Sequence, residues 1–519
     1  MAIEIVSSGD VRFDRLSRGQ NGRYPAKESD RASRIALCDN SDDVAEALER
    51  FVHQGLRPTI RSGGNCYEDF VDNNPGGAII DLSFTGGTQV SPNSGHKYRL
   101  GAGSRLGQAY YDLYQRDLVT IPGGTCAPVA AGGHIQGGGY GLLSRLHGVT
   151  PDWVSAVDVV TIDSAGKARV RRADKKNDPD LLRACRGGGG GNYGIVTNFY
   201  FDDLPKVPKE VIRGSIGFDW KDMTPERFAR VLTLYSDYWN TRGRDQDTWG
   251  LFTIFGLSHR SSGHLNMGVT FTNVDGTVDN TRVLDEFIAV FDECKPVTQL
   301  AVHPTMAEHH PEPANKGTEV CLANHTMNRI PWIDSVVPVS QTRAAATPAS
   351  RRRHKYKSCY MKQAFTPGEI AAYYKHLTRE IPGVDLKGNV ILVDSFGGAT
   401  NKPQMAEETS VAQRGSIMKL QFIATWADES GDAGNSQWIR DLYTDLYPAT
   451  GARAKYSGTP FWGDRYEGCY INYPDSDMVQ HDFWPQLYYG TGDIYPHLQQ
   501  VKRKFDPNNV FHHAMSVRI

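Results

Sequence analysis

An α+β fold spread over more than one domain is the class this sequence predicts, on three observations. The chain has 519 residues, more than one hydrophobic core organises, so two or three domains are expected. Short β-branched runs alternate with amphipathic helical stretches and glycine-rich connections through the first ~200 residues. Composition then shifts after "GIVTNFYFDDLPKVPKE", where Pro205 and Pro208 among lysines read as a linker.

In chain order, "SDDVAEALERFVHQG" places Val44, Leu48, Phe51 and Val52 on one helical face, with Ser41 as N-cap and Gly55 as the stop. "LRPTIRSGG" is a short strand running into glycines. "GGAIIDLS" and "HKYRLGAGS" are further strands, and "LGQAYYDLYQRD" is a helix. "VSAVDVVTIDSAGKARVRRA" reads as two strands joined by an Asp-Ser-Ala-Gly turn. Beyond the linker, "PERFARVLTLYSDYWNTR" and "TPGEIAAYYKHLTREI" are longer helices, with "GHLNMGVTFTN" and "IMKLQFIATW" as strands between them. No repeat recurs at a fixed period.

Hydrophobic content of 39% and charged content of 22% describe an ordinary globular protein. A formal charge of -2 gives no reason to expect nucleic acid or an acidic membrane as partner. The basic run "SRRRHKYKS", Ser350 to Ser358, is expected to be a solvated face. No apolar segment approaches the ~18 residues a bilayer requires. The N-terminus has neither a basic n-region nor an apolar h-region. With Met1 as the natural start the protein is expected in the cytoplasm; with a leader removed it is secreted. Eight cysteines without CxxC pairing argue against a zinc site and a disulfide scaffold. Each is expected to be a small buried hydrophobe, Cys126 excepted. His309-His310 and His512-His513 are not taken as metal ligands, because adjacent strand residues face opposite ways.

The chemistry is carried by glycine. "RSGGNCYEDF" begins at Arg61, "GGTCAPVAAGGHIQGGGYG" follows from Gly123, and a third cluster runs from Gly187 to Gly194. "GGGNYG" formally fits a dinucleotide fingerprint, but the β-branched and aromatic "IVTNFYF" follows it where a helix is required. No P-loop motif exists. Glycine lets backbone N–H groups close around an anion, and this many glycines exceed the needs of a few turns. A phosphate-bearing cofactor threaded through the domain explains them.

These segments resemble the berberine bridge enzyme-like branch of the vanillyl alcohol oxidase / p-cresol methylhydroxylase superfamily. "IRSGGNCYEDF" is similar to its pyrophosphate loop and "CAPVAAGGHIQGGGYGLLSRLHGVTPDWV" to its second signature. "LLRACRGGGGGNYGIVTNFYF" resembles the third, and "CYINYPDSD" with "YYGTGDIYPHLQQVKRKFDPNNVFHH" its C-terminal end. The resemblance implies a two-lobed FAD-binding domain built from both termini, residues 1–208 and 454–519. A substrate domain of antiparallel sheet covered by helices, residues 209–453, is inserted between them. Implied cofactor contacts are Arg61, Ser62, Gly63, Gly64, Asn65, Cys66, Cys126, Val129, Gly132, Gly133, His134, Gly137, Gly138, Gly139, Gly141, Gly194, Ile195, Val196, Asn472 and Tyr489, with Tyr488 as a further candidate.

Flavin in this branch is commonly tethered twice, by a histidine after "RSGG" to the 8α-methyl and by a cysteine to C6. Asn65 stands in the histidine's place and its amide cannot form that bond, so one thioether through Cys126 is implied. Cys66 is disfavoured as a rival anchor, since strand-like alternation points it away from the side of Asn65. His134 either caps backbone in its glycine loop or hydrogen-bonds the ribityl and N1 region. Val129 matches a position governing oxygen access, and valine there implies oxidase behaviour with H2O2 as product.

Tyr473 is the implied catalytic base. Tyr470, three residues earlier and on the opposite face of a strand, is read as structural. Asp394 in "ILVDSFGGATN" is either an orienting acid toward Tyr473 or substrate, or a strand-end aspartate facing water. Phe396 stands where several relatives carry tyrosine, and Lys357 is read as structural. The expected activity is FAD-dependent oxidation of an alcohol or hemiacetal carbon in a sugar, oligosaccharide or glycosylated secondary metabolite. The alternatives are a dehydrogenase or oxidative cyclase of a phenolic or alkaloid-like compound, and a flavin-binding protein without turnover.

Overall fold

A computed structural model describes residues 3–91, 94–297, 317–322, 325–336 and 351–519. His309 and His310 lie outside the described residues. Three sheets organise the chain. The first comprises β1 (Glu4–Ser7), β2 (Arg34–Leu37), β3 (Pro58–Arg61) and β4 (Ala78–Asp81), in the order β1-β2-β4-β3. Its β2, β4 and β3 run parallel and β1 antiparallel.

The second sheet holds β5 (Thr88–Val90), β6 (Tyr98–Gly101), β7 (Ala156–Ile162), β8 (Ala168–Asp174) and β9 (Ile195–Phe201), ordered β5-β6-β9-β7-β8 and antiparallel throughout. The β7–β8 hairpin forms where the Asp-Ser-Ala-Gly turn places it. Strand β9 follows the third glycine cluster directly, which removes the helix a dinucleotide fingerprint needs.

The third sheet draws only on residues beyond Pro208. It contains β10 (Glu210–Asp219), β11 (Leu251–Ser258), β12 (His264–Phe271), β13 (Thr318–Leu322), β14 (His325–Pro331), β15 (Arg353–Met361), β16 (Val390–Ser395) and β17 (Met418–Trp426). Its order is β13-β14-β10-β12-β11-β16-β17-β15, antiparallel at each junction. The helices Pro225–Arg242, Pro367–Thr378 and Asp432–Leu446 bury Phe228, Val231, Leu232, Tyr373, Leu377, Trp438 and Leu442, their apolar faces.

The helix Ser41–His53 buries Val44, Leu48 and Phe51, as its periodicity predicts. Its cap is Asn40, whose side chain accepts from the N–H groups of Asp42 and Asp43, and not Ser41. Ser41 instead bonds Thr197 across the second sheet at 2.7 Å. The basic run is corrected too. Arg353 to Ser358 belongs to β15, and Lys355 and Lys357 are buried among carboxylates rather than solvated. Cys321 is exposed, contrary to the reading of every cysteine but Cys126 as buried, while Cys66 and Cys126 are half-buried.

After the helix Asp432–Leu446 the chain returns to the first two sheets. Lys502 of the helix Ile494–Phe505 donates to the Asn192 and Phe511 carbonyls and to Asp506, and Tyr489 donates to the Gly188 carbonyl. Buried Arg145 pins the third sheet to the second signature by donating to the carbonyls of Leu251, Phe396, Gly243 and Thr248. Among the described residues no helix is long and apolar enough to cross a membrane.

Candidate active site

The glycine segments line one cavity of about 540 Å³. Ser62 to Cys66 leave the end of β3 and form one wall, where Gly64 at φ +74° turns the backbone as only glycine does easily. Gly189, Gly190 and Gly191 form another wall, and Thr125, Cys126, Val129, Gly133 and His134 a third. Strand β11 contributes Phe252 and Ile254, β15 contributes His354 and Tyr356, and the C-terminal return contributes Tyr470 to Pro474.

Of the sequence-derived cofactor residues, Arg61, Ser62, Gly63, Gly64, Asn65, Cys66, Cys126, Val129, Gly133, His134, Gly141 and Asn472 line this cavity. Gly132, Gly137, Gly138, Gly139, Gly194, Ile195, Val196, Tyr488 and Tyr489 lie outside its lining. Close packing constrains several of them. A Cβ on Gly137 would stand 2.0 Å from Asn472 Oδ1, so glycine there lets the C-terminal return close on the helix Ala131–Gly137. A Cβ on Gly194 would stand 2.7 Å from the Val160 carbonyl oxygen, again too close for a side chain. Ile195 and Val196 belong to the core of the second sheet. Tyr489 supports the third glycine cluster from below.

Residues 62–66 are not a strand, so alternation does not turn Cys66 away; Asn65 and Cys66 both reach the cavity. Burial pushes the Cys66 thiol up to about 12, which keeps it protonated and a poor nucleophile. Asn65 donates to the Gly63 carbonyl at 3.2 Å. Arg61 is held by Asp81 at 2.6 Å. A tight turn, Val129 N–H to the Cys126 carbonyl at 3.1 Å, sets Val129 beside Cys126. His134 Nε2 accepts the Gly124 N–H at 2.9 Å, which puts its proton on Nδ1, and burial lowers its pKa to about 4. Neutral His134 therefore caps the backbone that leads into Cys126.

The polar centre lies where the second signature meets the third sheet. Tyr140 donates to Asp394 Oδ2 at 2.5 Å, and the Tyr140 and Tyr473 hydroxyls are 2.9 Å apart. Asp394 is 4% exposed, which rules out the water-facing alternative, and its Oδ1 has no hydrogen-bond partner. Burial raises its pKa, while Lys419 and the Tyr140 hydroxyl act to lower it. Lys419 Nζ is fully buried without a hydrogen-bond acceptor, 3.7 Å from the centroid of Tyr140, 3.8 Å from Tyr473 and 4.5 Å from Tyr470. Burial drives its pKa far down, against the pull of Asp394.

Tyr470 and Tyr473 do not lie on a strand. A turn, Tyr473 N–H to the Tyr470 carbonyl at 2.9 Å, brings both rings to the cavity with centroids 4.9 Å apart. Tyr470 accepts from the Gly139 N–H and from Asn472 Nδ2, holding the return against the glycine run. Sequence reasoning missed Tyr140 and Lys419. Their signals were a tyrosine inside "GGGYG" and a lysine interrupting the apolar strand "IMKLQFIATW".

The comparisons with known proteins agree in extent and order. The model described as "FAD binding domain" matches residues 32–169 and that described as "Berberine and berberine like" matches residues 469–518. Aclacinomycin-N/aclacinomycin-A oxidase of Streptomyces galilaeus is 34% identical, across 100% of this chain and 90% of the relative. The chain belongs to the berberine bridge enzyme-like family of FAD-linked oxidases.

Hexose oxidase of Chondrus crispus is 32% identical over 98% of this chain and 93% of that protein. The crystal structure of a glycopeptide hexose oxidase complexed with teicoplanin superposes with a TM-score of 0.84 at 31% identity, covering 100% of this chain and 99% of that one. As a berberine bridge enzyme-like protein the chain is an FAD-dependent oxidoreductase of mixed helix and sheet. Its cavity suits the group: the glycine segments turn their backbone toward it, where N–H groups can close around a phosphate. Among the described residues no cluster of His, Cys, Asp or Glu is arranged to hold a metal ion. His512 bonds the Asn509 carbonyl and His513 stacks on Phe70.

Proposed function

We propose that this protein is an oxidase of an alcohol or hemiacetal carbon in a sugar, oligosaccharide or glycosylated secondary metabolite, with H2O2 as product. FAD, when bound in the cavity, would supply the hydride acceptor and the route for electrons to dioxygen. Residues 61–66 and 189–191 hold its phosphate-bearing part, Cys126 its single covalent tether through sulfur, and Val129 the neighbouring oxygen path. The FAD-binding domain is residues 1–208 with 454–519, and residues 209–453 form the substrate domain.

The observation that carries the reading is the hydrogen-bonded series Tyr473–Tyr140–Asp394 at the cavity wall. Tyr140 gives its own proton to Asp394, so the bond between the two phenols is donated by Tyr473. Burial holds the Tyr473 phenol well above its ordinary value, so it enters the reaction protonated. It accepts the substrate hydroxyl proton only by releasing its own to Tyr140, which releases its proton to Asp394 Oδ2. The substrate C–H bond breaks with its electron pair as the C=O forms, and the carboxylate ends protonated. The raised pKa of Asp394 makes it a competent sink. Phe252 and Ile254 supply the apolar face against which the substrate packs.

The test is anaerobic bleaching of the flavin by a panel of sugars and glycosides, followed by peroxide assay on readmitting air. Bleaching by a glycoside with stoichiometric peroxide is expected. Bleaching only by phenolic compounds, or bleaching without peroxide, overturns the reading.

A further inference from the structure

Behind the cavity wall lies a group of six charges that the proton path does not use. Lys355 Nζ is 2.7 Å from Glu68, 2.6 Å from Asp475 and 3.5 Å from Asp477. Lys357 Nζ is 2.5 Å from Asp475 and 3.1 Å from Asp477, and Arg440 reaches Asp477 at 2.8 Å. Three cations meet three carboxylates. Lys355, Lys357 and Asp475 are each at most 2% exposed. Tyr24 and Ser476 complete the bonding of Glu68 at 2.8 and 3.1 Å. The opposite charges hold Lys355 above and Asp477 below their ordinary values, so these two stay ionised.

Three of these charges sit beside cavity-lining side chains in the chain. Glu68 follows Tyr67; Lys355 lies between His354 and Tyr356, pointing to the other face of β15; Asp475 is two residues after Tyr473. The Tyr67 ring stacks on Tyr356 at 3.6 Å and lies 5.5 Å from that of Tyr473. We infer that the Glu68–Lys355–Asp475 clasp positions Tyr473, fixing its phenol against Tyr140 by tying the first glycine loop, β15 and the C-terminal return together. Lys355 is the positioning residue, since it alone touches carboxylates from both other segments. A buried group of this kind contributes less to stability than well-packed apolar side chains, and its gain is a defined geometry.

This inference rests on Tyr473 as proton acceptor. The test uses the holoenzyme with Glu68→Gln and Lys355→Met together, which removes one charge of each sign and leaves no unpaired ion. Displacing a reacting group by an ångström costs on the order of 10²-fold, so kcat is expected to fall about 10- to 100-fold with KM nearly unchanged. The pH profile of kcat is expected to shift, and Lys355→Arg to retain most of the activity. A crystal structure of the double variant is expected to show the Tyr473 and Tyr140 hydroxyls beyond hydrogen-bond distance. Where the double change does not fold, Glu68→Gln alone serves, and about a threefold loss in kcat is expected. A folded variant with wild-type kcat, pH profile and Tyr473–Tyr140 distance overturns the clasp. Full activity in Tyr473→Phe sinks the reading of Tyr473 instead, and the distance measurement still decides the clasp.

Discussion

The hydroxyls of Tyr140 and Tyr473 lie 2.9 Å apart, and because Tyr140 is committed to Asp394 the proton between the two phenols belongs to Tyr473. Substituting either tyrosine therefore interrupts the same path at a different place. Tyr473→Phe is expected to lower the rate of anaerobic flavin reduction by about 10² to 10⁴-fold. Tyr140→Phe is expected to give a comparable loss, since Tyr473 then has no acceptor for its own proton. Stopped-flow reduction with substrate in excess measures both, and KM is expected to move little.

Asp394→Asn removes the proton sink while conserving shape. An amide cannot take the proton from Tyr140, so reduction is expected to slow by at least about 10²-fold. The protein is expected to keep its flavin, measured by absorbance after desalting.

Lys419 is buried where water cannot reach it, and its depressed pKa signs its effect on stability. Between that value and the ordinary one the unfolded chain holds a proton that the native chain has released, so stability rises with pH across this window. Lys419→Met is expected to remove that slope and to raise stability at neutral pH by about 1 to 3 kcal/mol, since an unpartnered buried amine gives way to an apolar side chain of similar shape. Activity is expected to fall, because the rings of Tyr140 and Tyr473 lose the amine packed against them. Denaturant titration at several pH values, with kcat measured alongside, checks both halves.

Four half-buried histidines act in acid. Burial lowers His134 and His147 to about 4, and His354 and His513 to about 3. Each native histidine resists a proton that the unfolded chain accepts below about 6.5, so stability is lost as pH falls from there toward 4. The slope per group is at most about 1.4 kcal/mol for each pH unit. Scanning calorimetry from pH 7 to 4.5 is expected to show a steep fall in Tm, which His147→Gln makes shallower.

Asn65 and Cys126 face the same cavity, which makes the tether testable by substitution. Cys126→Ala is expected to release all FAD on denaturation, read by intact mass. Adding Asn65→His to Cys126→Ala is expected to restore attachment, this time through imidazole. Asn65→His alone is expected to raise the flavin's reduction potential and speed its reduction; equal potentials would falsify that link.

Much of this was legible before any coordinates. Glycine clusters separated by some sixty residues converge on one cavity because glycine serves little else at such density, and Cys126 stood out against scattered cysteines. The helix Ser41–His53 and the β7–β8 hairpin follow from periodicity and turn residues alone. The proton path was only partly readable. Tyr140 acquires its meaning from a strand some 250 residues later in the chain, carrying Asp394. Lys419 and Lys355 look like surface residues in a list of charges, because a strand's alternation does not reveal which of its faces is covered. The turn at Tyr470 misled for the converse reason, since "YINY" has strand composition and tertiary contacts override it.

Ile254 pairs directly with Asp394 across neighbouring strands, and Phe252 is two residues along the same face. Under the proposed function, what the pocket admits is written on β11, while what it does to the admitted molecule is written on β16 and the C-terminal return. Mutational exploration confined to positions 252 and 254 can redraw the repertoire of acceptable molecules and leave the reactive apparatus in place, which makes that short stretch the natural starting point for retargeting the enzyme.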